Sequence, residues 1–328
     1  ISSGVIDAIG YDGIYDSGRN PGDAGSFQSD IQFGKSSCFH DSYFVDLSFP
    51  AEIFRDRNGG RCCKGVNSMR LHVLGSCSGT EPFPGRHHTG LALEDENSLY
   101  FLDAGECCSY TAYLKGLDLL KTKAIFLSHC HMDHVGGLGN LLWTIRKLSV
   151  VEKRQPDAEE ILIYTPQLES YEGIYQTLQY TEDNFQCAYG HKPVEIRDGI
   201  LYHDESGRIQ VEAVHNHHLP HTERTPWRSF SFRITWEEKV IFYSGDTQLE
   251  DLAETVPQKC DILLMETGHH QVKQVCEYLK STGKEIDRLV FVHHGLKVLH
   301  DPEGARSEVA EFWGERGMIT EDGDVIEL

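Results

Sequence analysis

Residues 128–137 read SHCHMDHVGG and follow directly on the apolar run AIFL at 124–127. Four side chains of this stretch are of the types that bind metal ions: His129, His131, Asp133 and His134. Neutral imidazoles and a carboxylate suit borderline divalent ions such as zinc. Because consecutive side chains diverge, one ion cannot easily use all four groups, whereas two ions can. The stretch therefore predicts a metal-binding loop at the end of a buried strand, at the edge of a sheet.

Around this loop, short apolar strands alternate with helices from residue 69 onwards. The strand-like segments are LHVLG, TGLALE, LYFLDAG, AIFLS, ILIYT, IQVEAV, SFSFRITW, KVIFYSGD, DILLME and RLVFVHH. The helical segments are YTAYLKGLDLL, GLGNLLWTIRKL, ESYEGIYQTLQYT and VKQVCEYLKST. So many strands and helices in one stretch predict a single α/β domain over residues 69–328, with sheets inside and helices outside.

Residues 1–68 differ in character from the rest of the chain. They are rich in Gly, Ser, Asp and Asn, as in DSGRNPGDAGSFQSD, and show no sustained period of 2 or 3.6. Only DSYFVDLSF at 41–49 resembles a strand. The segment is therefore predicted to be an N-terminal extension that is partly irregular.

The composition is that of a soluble globular protein, with 39% hydrophobic and 25% charged residues among 328. No run of about 18 apolar residues is present, so no membrane span is expected. The first residues lack a basic start followed by an apolar stretch, so no secretory signal is visible. The ten cysteines show no regular framework and are interpreted as cytosolic thiols. We expect a cytoplasmic protein.

The formal net charge of −21 is the strongest global property of the chain. Such a charge repels polyanions over long range, and the basic residues form no cluster longer than pairs such as Arg146-Lys147. Nucleic-acid binders normally present a basic face. The charge therefore argues against extended nucleic acid as a partner and favours a small substrate. A homodimer is compatible with the sequence.

The HxHxDH stretch resembles the signature of the metallo-β-lactamase superfamily. Four further segments look like motifs of its ribonuclease Z-like branch: LGSCSGTEPFPGRHHTGLAL (74–93), FLDAGE (101–106), FYSGDT (242–247) and LVFVHHG (289–295). Together these motifs cover roughly residues 69–300. The resemblance implies an α/β fold in the form of a four-layer αββα sandwich, with a dinuclear metal site.

The resemblance also implies a set of metal ligands. One ion would be held by His129, His131 and His218, the second by Asp133, His134 and His293, and Asp246 would bridge the two. Asp103 would support the metal loop from behind. For the middle histidine, His215, His217 and His221 are the alternatives, and for the last one His294 is the alternative.

The implied cofactors are two divalent metal ions, with zinc expected and manganese or iron as alternatives. They would lower the pKa of a shared water towards about 7, and the resulting hydroxide would attack phosphorus or a carbonyl carbon. Asp133 would also orient this nucleophile. Glu266 lies where ribonuclease Z-like relatives carry a functional Glu, and His269 or His270 lies near the position of their proton donor.

An Asp at position 246, where the antibiotic-degrading branch carries Cys, points to the ribonuclease Z, phosphodiesterase and lactonase side of the superfamily. Two departures from ribonuclease Z are visible: Met132 replaces the Gly of its metal motif, and residues 155–210 contain no recognisable tRNA-binding arm. We therefore expect a phosphodiesterase-like hydrolase of a small phosphodiester or ester. The alternatives are a lactonase, a non-catalytic metal-stabilised scaffold, and a diiron redox protein, against which His131 and the lack of a flavin module argue.

Overall fold

Strands and helices alternate along the part of the chain that the structure describes. The computed structural model describes residues 68–181, 185 and 189–328. The predicted extension, with its strand-like segment at 41–49, lies outside the described residues except for Ser68.

The strands are β1 (Arg70–Gly75), β2 (Gly90–Glu94), β3 (Leu99–Leu102), β4 (Thr122–Phe126), β5 (Glu160–Thr165), β6 (Gly190–Glu195), β7 (Gly199–His203), β8 (Ile209–His215), β9 (Phe230–Trp236), β10 (Lys239–Tyr243), β11 (Lys259–Thr267), β12 (Glu285–His294), β13 (Gly317–Ile319) and β14 (Val325–Glu327). The α-helices are α1 (Cys108–Leu114), α2 (Met132–Val135), α3 (Leu138–Val151), α4 (Leu168–Gln179), α5 (Leu252–Thr255), α6 (Val272–Thr282), α7 (Leu296–His300) and α8 (Pro302–Trp313). Short 3-10 turns lie at Leu119–Lys121, Leu249–Asp251 and Gly314–Arg316.

The strands form two seven-stranded sheets of matching design. The first sheet has the order β14-β1-β2-β3-β4-β5-β6, and the second has the order β13-β12-β11-β10-β9-β8-β7. In the first sheet the pairs from β14 to β3 are antiparallel and those from β3 to β6 are parallel. In the second sheet the pairs from β7 to β10 are antiparallel and those from β10 to β13 are parallel.

The central strands are covered on both faces. In β12, Val290 and Val292 point into a core that both sheets share, whereas Leu289 and Phe291 pack towards the helices outside the second sheet. A strand that is buried on both faces needs apolar side chains at every position, which is why LVFV is a continuous apolar run.

The helices bury one face each against the outer side of a sheet. On α3, Leu138, Leu141 and Ile145 recur at helical spacing and join the core under the first sheet. On α6, Val272, Val275 and Leu279 do the same under the second sheet. The layers are therefore helix, sheet, sheet and helix, which confirms the predicted αββα sandwich. Among the described helices, none is both long and apolar enough to cross a membrane.

The parallel strands of both sheets end at one edge of the sandwich. The side chains that follow β3 and β4 in the first sheet lie within contact distance of those that end β10 and β12 in the second. The carboxyl ends of parallel strands are the usual position of ligand sites in α/β folds. This edge is where the predicted site residues lie.

Candidate metal centre

The metal loop begins where β4 ends and turns at once into the single-turn helix α2. His129 is completely buried directly after the strand, and His131 is the residue before the first turn of α2. Asp133 and His134 then lie within that turn, and His134 is also completely buried. The tight turn keeps the four groups of the loop on one side of the sheet edge.

A buried carboxylate from the neighbouring strand fixes this loop. Asp103 follows β3 with a backbone φ of 58° and accepts hydrogen bonds from the backbone N–H of Ser128 (2.7 Å) and its hydroxyl (2.8 Å). It also pairs with His134 Nδ1 at 2.8 Å and accepts a hydrogen bond from the Tyr243 hydroxyl at 2.6 Å. Because Nδ1 of His134 is engaged by a carboxylate, its Nε2 is left with a lone pair that points into the centre.

Asp246 follows β10 and lies at the middle of the cluster, with 2% of its side chain exposed. Its Oδ1 is 3.3 Å from Nε2 of His134 and 3.2 Å from Nε2 of His293. Its Oδ2 is 3.6 Å from Nε2 of His129 and 3.7 Å from Nε2 of His218. The two oxygens of one carboxylate therefore face two different groups of imidazoles.

Two groups of side chains bring their ligand atoms within 4.8 Å of one another and could each hold a metal ion. The first group is His129, His131, His218 and Asp246, and the second is Asp133, His134 and His293. A third combination within the same distance is Asp246, His269 and His293. All seven side chains that the resemblance implied as ligands thus meet in one place.

The chemistry of the cluster fits metal ions better than hydrogen bonds alone. Among the described residues, Nε2 of His129 and Oδ1 of Asp246 are buried without a hydrogen-bond partner. Buried polar atoms are normally paired, because an unpaired one costs about 1–3 kcal/mol. Nε2 of His134 also lies 3.1 Å from Nε2 of His293. A cation shared by the two nitrogens would offset the repulsion between their lone pairs.

The electrostatics of the pocket are consistent with this fit. Burial lowers the pKa of His129 well below its usual value and that of His218 to about 4, so both imidazoles are neutral, as metal ligands must be. For His134, burial would lower the pKa, but Asp246 and Asp103 raise it well above its usual value. The surroundings of the His134 ring therefore favour a positive charge, which a divalent cation would provide.

A buried glutamate and a half-exposed histidine lie beside the cluster. Glu266, near the end of β11, is completely buried and accepts a hydrogen bond from the backbone N–H of His269 at 2.9 Å. Its Oε1 is 3.1 Å from Nδ1 of His269, and this contact raises the pKa of His269 to about 8. The His269 ring lies 4.9 Å from that of His218 and is partly open to solvent. His270 instead bonds to the carbonyl oxygen of Thr247.

The alternative histidines all have partners outside the cluster. His215 pairs with Asp198 at 2.7 Å, and His217 pairs with Asp251 at 2.5 Å. His221 stacks on Trp227 at a ring distance of 3.7 Å. His294 is buried and contacts the Thr267 hydroxyl (2.8 Å) and the Thr320 carbonyl oxygen (3.0 Å). The geometry therefore brings His218 and His293, and none of these four, to the side chains that could hold a metal ion.

Sequence reasoning missed two residues that hold the centre together. Tyr243 reaches across from the second sheet to Asp103 in the first, and Asp251 contacts the residue next to His218. Tyr243 stands inside the FYSGDT segment, so its position three residues before Asp246 was a usable signal. Asp251 gave no such signal, because its partner lies 34 positions away.

Comparison with known proteins gives a family and a fold. The model of the family described as anti-Pycsar protein Apyc1 matches residues 69–307. A ribonuclease Z from Listeria monocytogenes serotype 4a (strain HCC23) is 28% identical over 193 residues, which cover 58% of this chain and 56% of that protein. The chain thus spans about half the length of this relative. A ribonuclease Z from Methanopyrus kandleri is 27% identical over 277 residues, which cover 74% of this chain and 92% of that protein.

Among solved structures, the metallo-β-lactamase fold protein YhfI from Bacillus subtilis matches with a TM-score of 0.62 and 18% identity, covering 80% of this chain and 100% of that one. The short form of human tRNase Z matches with a TM-score of 0.57 and 19% identity, covering 78% of this chain and 98% of that one. At these identities the likeness concerns the fold, and it agrees with the two-sheet architecture described above.

Proposed function

The chain belongs to the family described as anti-Pycsar protein Apyc1, within the ribonuclease Z-like branch of the metallo-β-lactamase superfamily, and on this premise we propose that it is a dinuclear metal-dependent hydrolase of small phosphodiesters. The observation that carries the proposal is the position of Asp246. Its Oδ1 faces His134 and His293, and its Oδ2 faces His129 and His218. A carboxylate that faces two ligand groups in this way can bridge two cations and offset their repulsion.

We propose zinc as the ion in both positions, with manganese or iron as alternatives. Five imidazoles and two carboxylates make up the two ligand groups: His129, His131, His218, His134, His293, Asp133 and Asp246. Imidazole nitrogen and carboxylate oxygen suit zinc and the neighbouring transition metals. When bound, a pair of such ions lowers the pKa of water towards about 7 and stabilises the negative charge that develops on the substrate.

The side chains of the chain itself supply the remaining functions. Asp133 lies 3.2 Å from Nε2 of His293 and is partly exposed, so it can orient a nucleophile at the mouth of the centre. His269 holds a proton, because Glu266 raises its pKa to about 8. Glu266 also fixes Nδ1 of His269, which leaves Nε2 free to deliver that proton to the leaving oxygen.

A cavity beside His269 favours a small leaving group. Its volume is about 260 Å³, and its walls include Gly268, Gln271, Leu296 and Lys297. Ligand pockets usually measure about 300–1,000 Å³, so this one suits part of a small substrate. We assign the leaving group to this cavity.

RNA is the competing substrate class. The curated relatives named above are ribonucleases Z, so the expectation that extended nucleic acid is not a partner gains no support from them. It rests on the net charge of −21 and on the segment at 155–210. The described residues of that segment form β5, α4, β6, β7 and the start of β8, which belong to the sandwich itself. This arrangement supports the small substrate.

The proposal is tested by metal analysis of the purified chain together with hydrolysis assays. We expect about two ions per chain and turnover of bis(p-nitrophenyl) phosphate, with no cleavage of a tRNA precursor. Turnover of a lactone instead would favour the lactonase alternative, and two ions without any turnover would favour a metal-stabilised scaffold.

We also propose that the chain shares the anti-Pycsar role that its family name states. A Pycsar system should then be suppressed by the active chain and not by an inactive variant.

The bridging role makes a direct prediction for Asp246→Ala. Because both ligand groups lose an oxygen, metal content should fall towards one ion or less, and hydrolysis should fall at least about 1,000-fold. The matched control is Asp261→Ala, which removes one negative charge near the start of β11, where the partly exposed Asp261 accepts a hydrogen bond from Val240 N–H. The control should keep two ions and full turnover. An Asp246→Ala chain with two ions and unchanged activity would refute the bridging role.

A further inference from the structure

The loop that carries His218 is anchored at its base by Asn216, whose side chain donates to the Ser231 hydroxyl at 3.1 Å and to the Ser244 carbonyl oxygen at 3.4 Å. It connects β8 to β9 and runs from residue 216 to 229. The His218 ring is 9% exposed, and its Nε2 faces the centre at 3.4 Å from Nδ1 of His131. The backbone N–H of His218 donates to Asn216 Oδ1 at 3.2 Å, a contact within the same loop. The position of this ring therefore depends on what holds the loop backbone.

One buried carboxylate outside the loop holds that backbone. Asp251 ends the 3-10 turn Leu249–Asp251, and its side chain is 7% exposed. It accepts a hydrogen bond from the backbone N–H of His217 at 2.8 Å and pairs with Nδ1 of His217 at 2.5 Å. Two contacts of this kind to one carboxylate fix both the backbone and the side chain of the residue next to His218.

The same carboxylate also holds the segment that carries Asp246. It accepts hydrogen bonds from the Thr247 hydroxyl and from the backbone N–H of Gln248, each at 3.2 Å. Thr247 directly follows Asp246 in the chain. Asp251 thus ties together the two segments that deliver His218 and Asp246 to the first ligand group.

We infer that Asp251 is a positioning residue that sets the distance between His218 and Asp246, and through it the affinity of the ion held by His129, His131 and His218. The inference rests on the proposed function, because it takes the two ligand groups to be metal sites. Asp103 has the equivalent place behind His134, where it contacts the imidazole itself. Asp251 differs because it acts through the neighbouring residue His217. Residues behind the ligands typically change metal affinity 10–100-fold when they are replaced.

The test compares metal affinities in the full-length chain. Apo protein is titrated with zinc against a chromogenic chelator, and the two binding steps are fitted separately. We expect Asp251→Asn to weaken one step 10–100-fold and to leave the other within about 3-fold. His217→Ala removes an exposed ring with its contacts to Asp251 and Trp227 but keeps the backbone hydrogen bond to Asp251, so the same step should weaken less. Both variants should lower kcat at saturating substrate in low zinc, and added zinc should restore it.

The matched control is Asp204→Asn. Asp204 also accepts a backbone hydrogen bond, from Ile209 at 2.9 Å, and pairs with Ser206, but it lies in the turn between β7 and β8, at the other end of β8 from His218. If Asp251 only stabilised its surroundings, as Asp204 does, both Asp variants would lose thermal stability and the affinities of both zinc sites would stay unchanged. Equal affinities in folded Asp251→Asn and wild type would therefore overturn the inference.

If Asp251→Asn does not fold, His217→Ala decides alone: a weakened single step supports the positioning role, and unchanged steps overturn it. A different result refutes the proposed function: a wild-type chain that binds two ions and hydrolyses no substrate. In that case the comparison of zinc affinities still tests the positioning role of Asp251. A wild-type chain that binds no zinc overturns both.

Discussion

His293 and His294 are adjacent in sequence but have different surroundings. β12 carries a register shift against β11 at this point, and His293 adopts a backbone φ of 50°. A positive φ in a residue other than glycine is uncommon and strained, and such strain clusters at functional sites. The shift turns His293 towards Asp246, while His294 stays in the ladder and bonds to Thr267 and Thr320.

This difference predicts opposite outcomes for two neighbouring substitutions. His293→Ala should lower zinc content and activity with little change in the stability of the metal-free chain, because it removes a proposed ligand. His294→Asn should keep the metal and cost about 1–3 kcal/mol of unfolding free energy, because buried hydrogen bonds are lost. Metal analysis and denaturant unfolding of both variants check this. If only the His294→Asn variant lost its metal, His294 and not His293 would be the ligand.

The four candidate ligands of the loop at 128–137 could be identified from the sequence because they are close together in it. The choice of His218 over His217 and His221 came from the resemblance. In the structure, Asp251 holds the His217 ring from another turn of the chain, whereas Trp227 stacks on His221 from within the same loop. The contact between His217 and Asp251 could not be predicted from neighbouring residues, because 34 positions separate the two.

The proposed proton donor makes a prediction about pH. Glu266 raises the pKa of His269 to about 8, so His269 is protonated below that pH and loses its proton above it. Activity should therefore fall as pH rises through about 8. In Glu266→Gln the negative charge is gone, and the pKa of His269 should return towards about 6.5, which moves the falling limb to lower pH.

The measurement is kcat against pH for both chains, with Glu285→Gln as the control. Glu285 lies at the opposite end of β12 and pairs on the surface with Lys259. The control should reproduce the wild-type profile. If the limb stays at the same pH in Glu266→Gln, His269 is not the group that titrates.

At the scale of elements, the end of β3 and the metal loop approach each other backbone to backbone. Ala104 and Gly137 are linked by an N–H to carbonyl hydrogen bond of 2.8 Å, and Ala104 N–H donates to the carbonyl oxygen of His134 at 2.7 Å. A Cβ on Gly137 would lie 2.1 Å from the carbonyl oxygen of Gly105. A Cβ on Gly105 would likewise lie 2.3 Å from the carbonyl oxygen of Asp133, so Gly105 and Gly137 are both needed for this contact.

Gly137→Ala should accordingly push the loop away from β3. We expect a loss of about 1–3 kcal/mol in unfolding free energy, as for other overpacked sites, together with weaker zinc binding. Gly173→Ala is the matched control, because a Cβ there meets nothing within 4 Å inside α4. It should stabilise the chain by about 0.5–1 kcal/mol. Equal effects of the two substitutions on zinc binding would contradict the proposed contact.

The ten predicted strands are all present, whereas β6, β7, β13 and β14 were missed. These four strands are the edges of the two sheets. An edge strand is short or half exposed, so it lacks the continuous apolar run that identified the central strands. β6 even contains Pro193, which an edge tolerates. Sequence patterns thus identified the buried central strands and missed the four edge strands.

At the scale of the molecule, each sheet supplies half of the centre. The loop after β4 comes from the first sheet, and the segments with His218, Asp246 and His293 come from the second. The hydrogen bond from Tyr243 to Asp103 joins the two halves beneath the ligands. The arrangement of the proposed ligands therefore exists only when the sheets are packed together, and metal bound there should add to the stability of that packing.

The described sandwich also predicts what removal of the N-terminal segment will do. β1 is paired on both sides, with β14 and with β2, so neither of its edges is left open. Met69 is completely buried, and its carbonyl oxygen accepts a hydrogen bond from Leu328 N–H at 3.0 Å. A chain of residues 69–328 should therefore fold, bind the same amount of zinc and keep its turnover, with a melting temperature within about 4 °C of the full chain.

The matched control for this deletion removes the other terminus. A chain that ends at residue 324 loses β14, and with it the partner strand of β1 and the buried Ile326. Burying a side chain of this size contributes about 1.5–3 kcal/mol, so this control should melt markedly lower than the chain of residues 69–328. Melting curves, zinc content and turnover of the two truncated chains decide the matter. An insoluble or inactive chain of residues 69–328 would mean that the N-terminal segment contributes to the core or to the site, and the domain boundary at residue 69 would then be wrong.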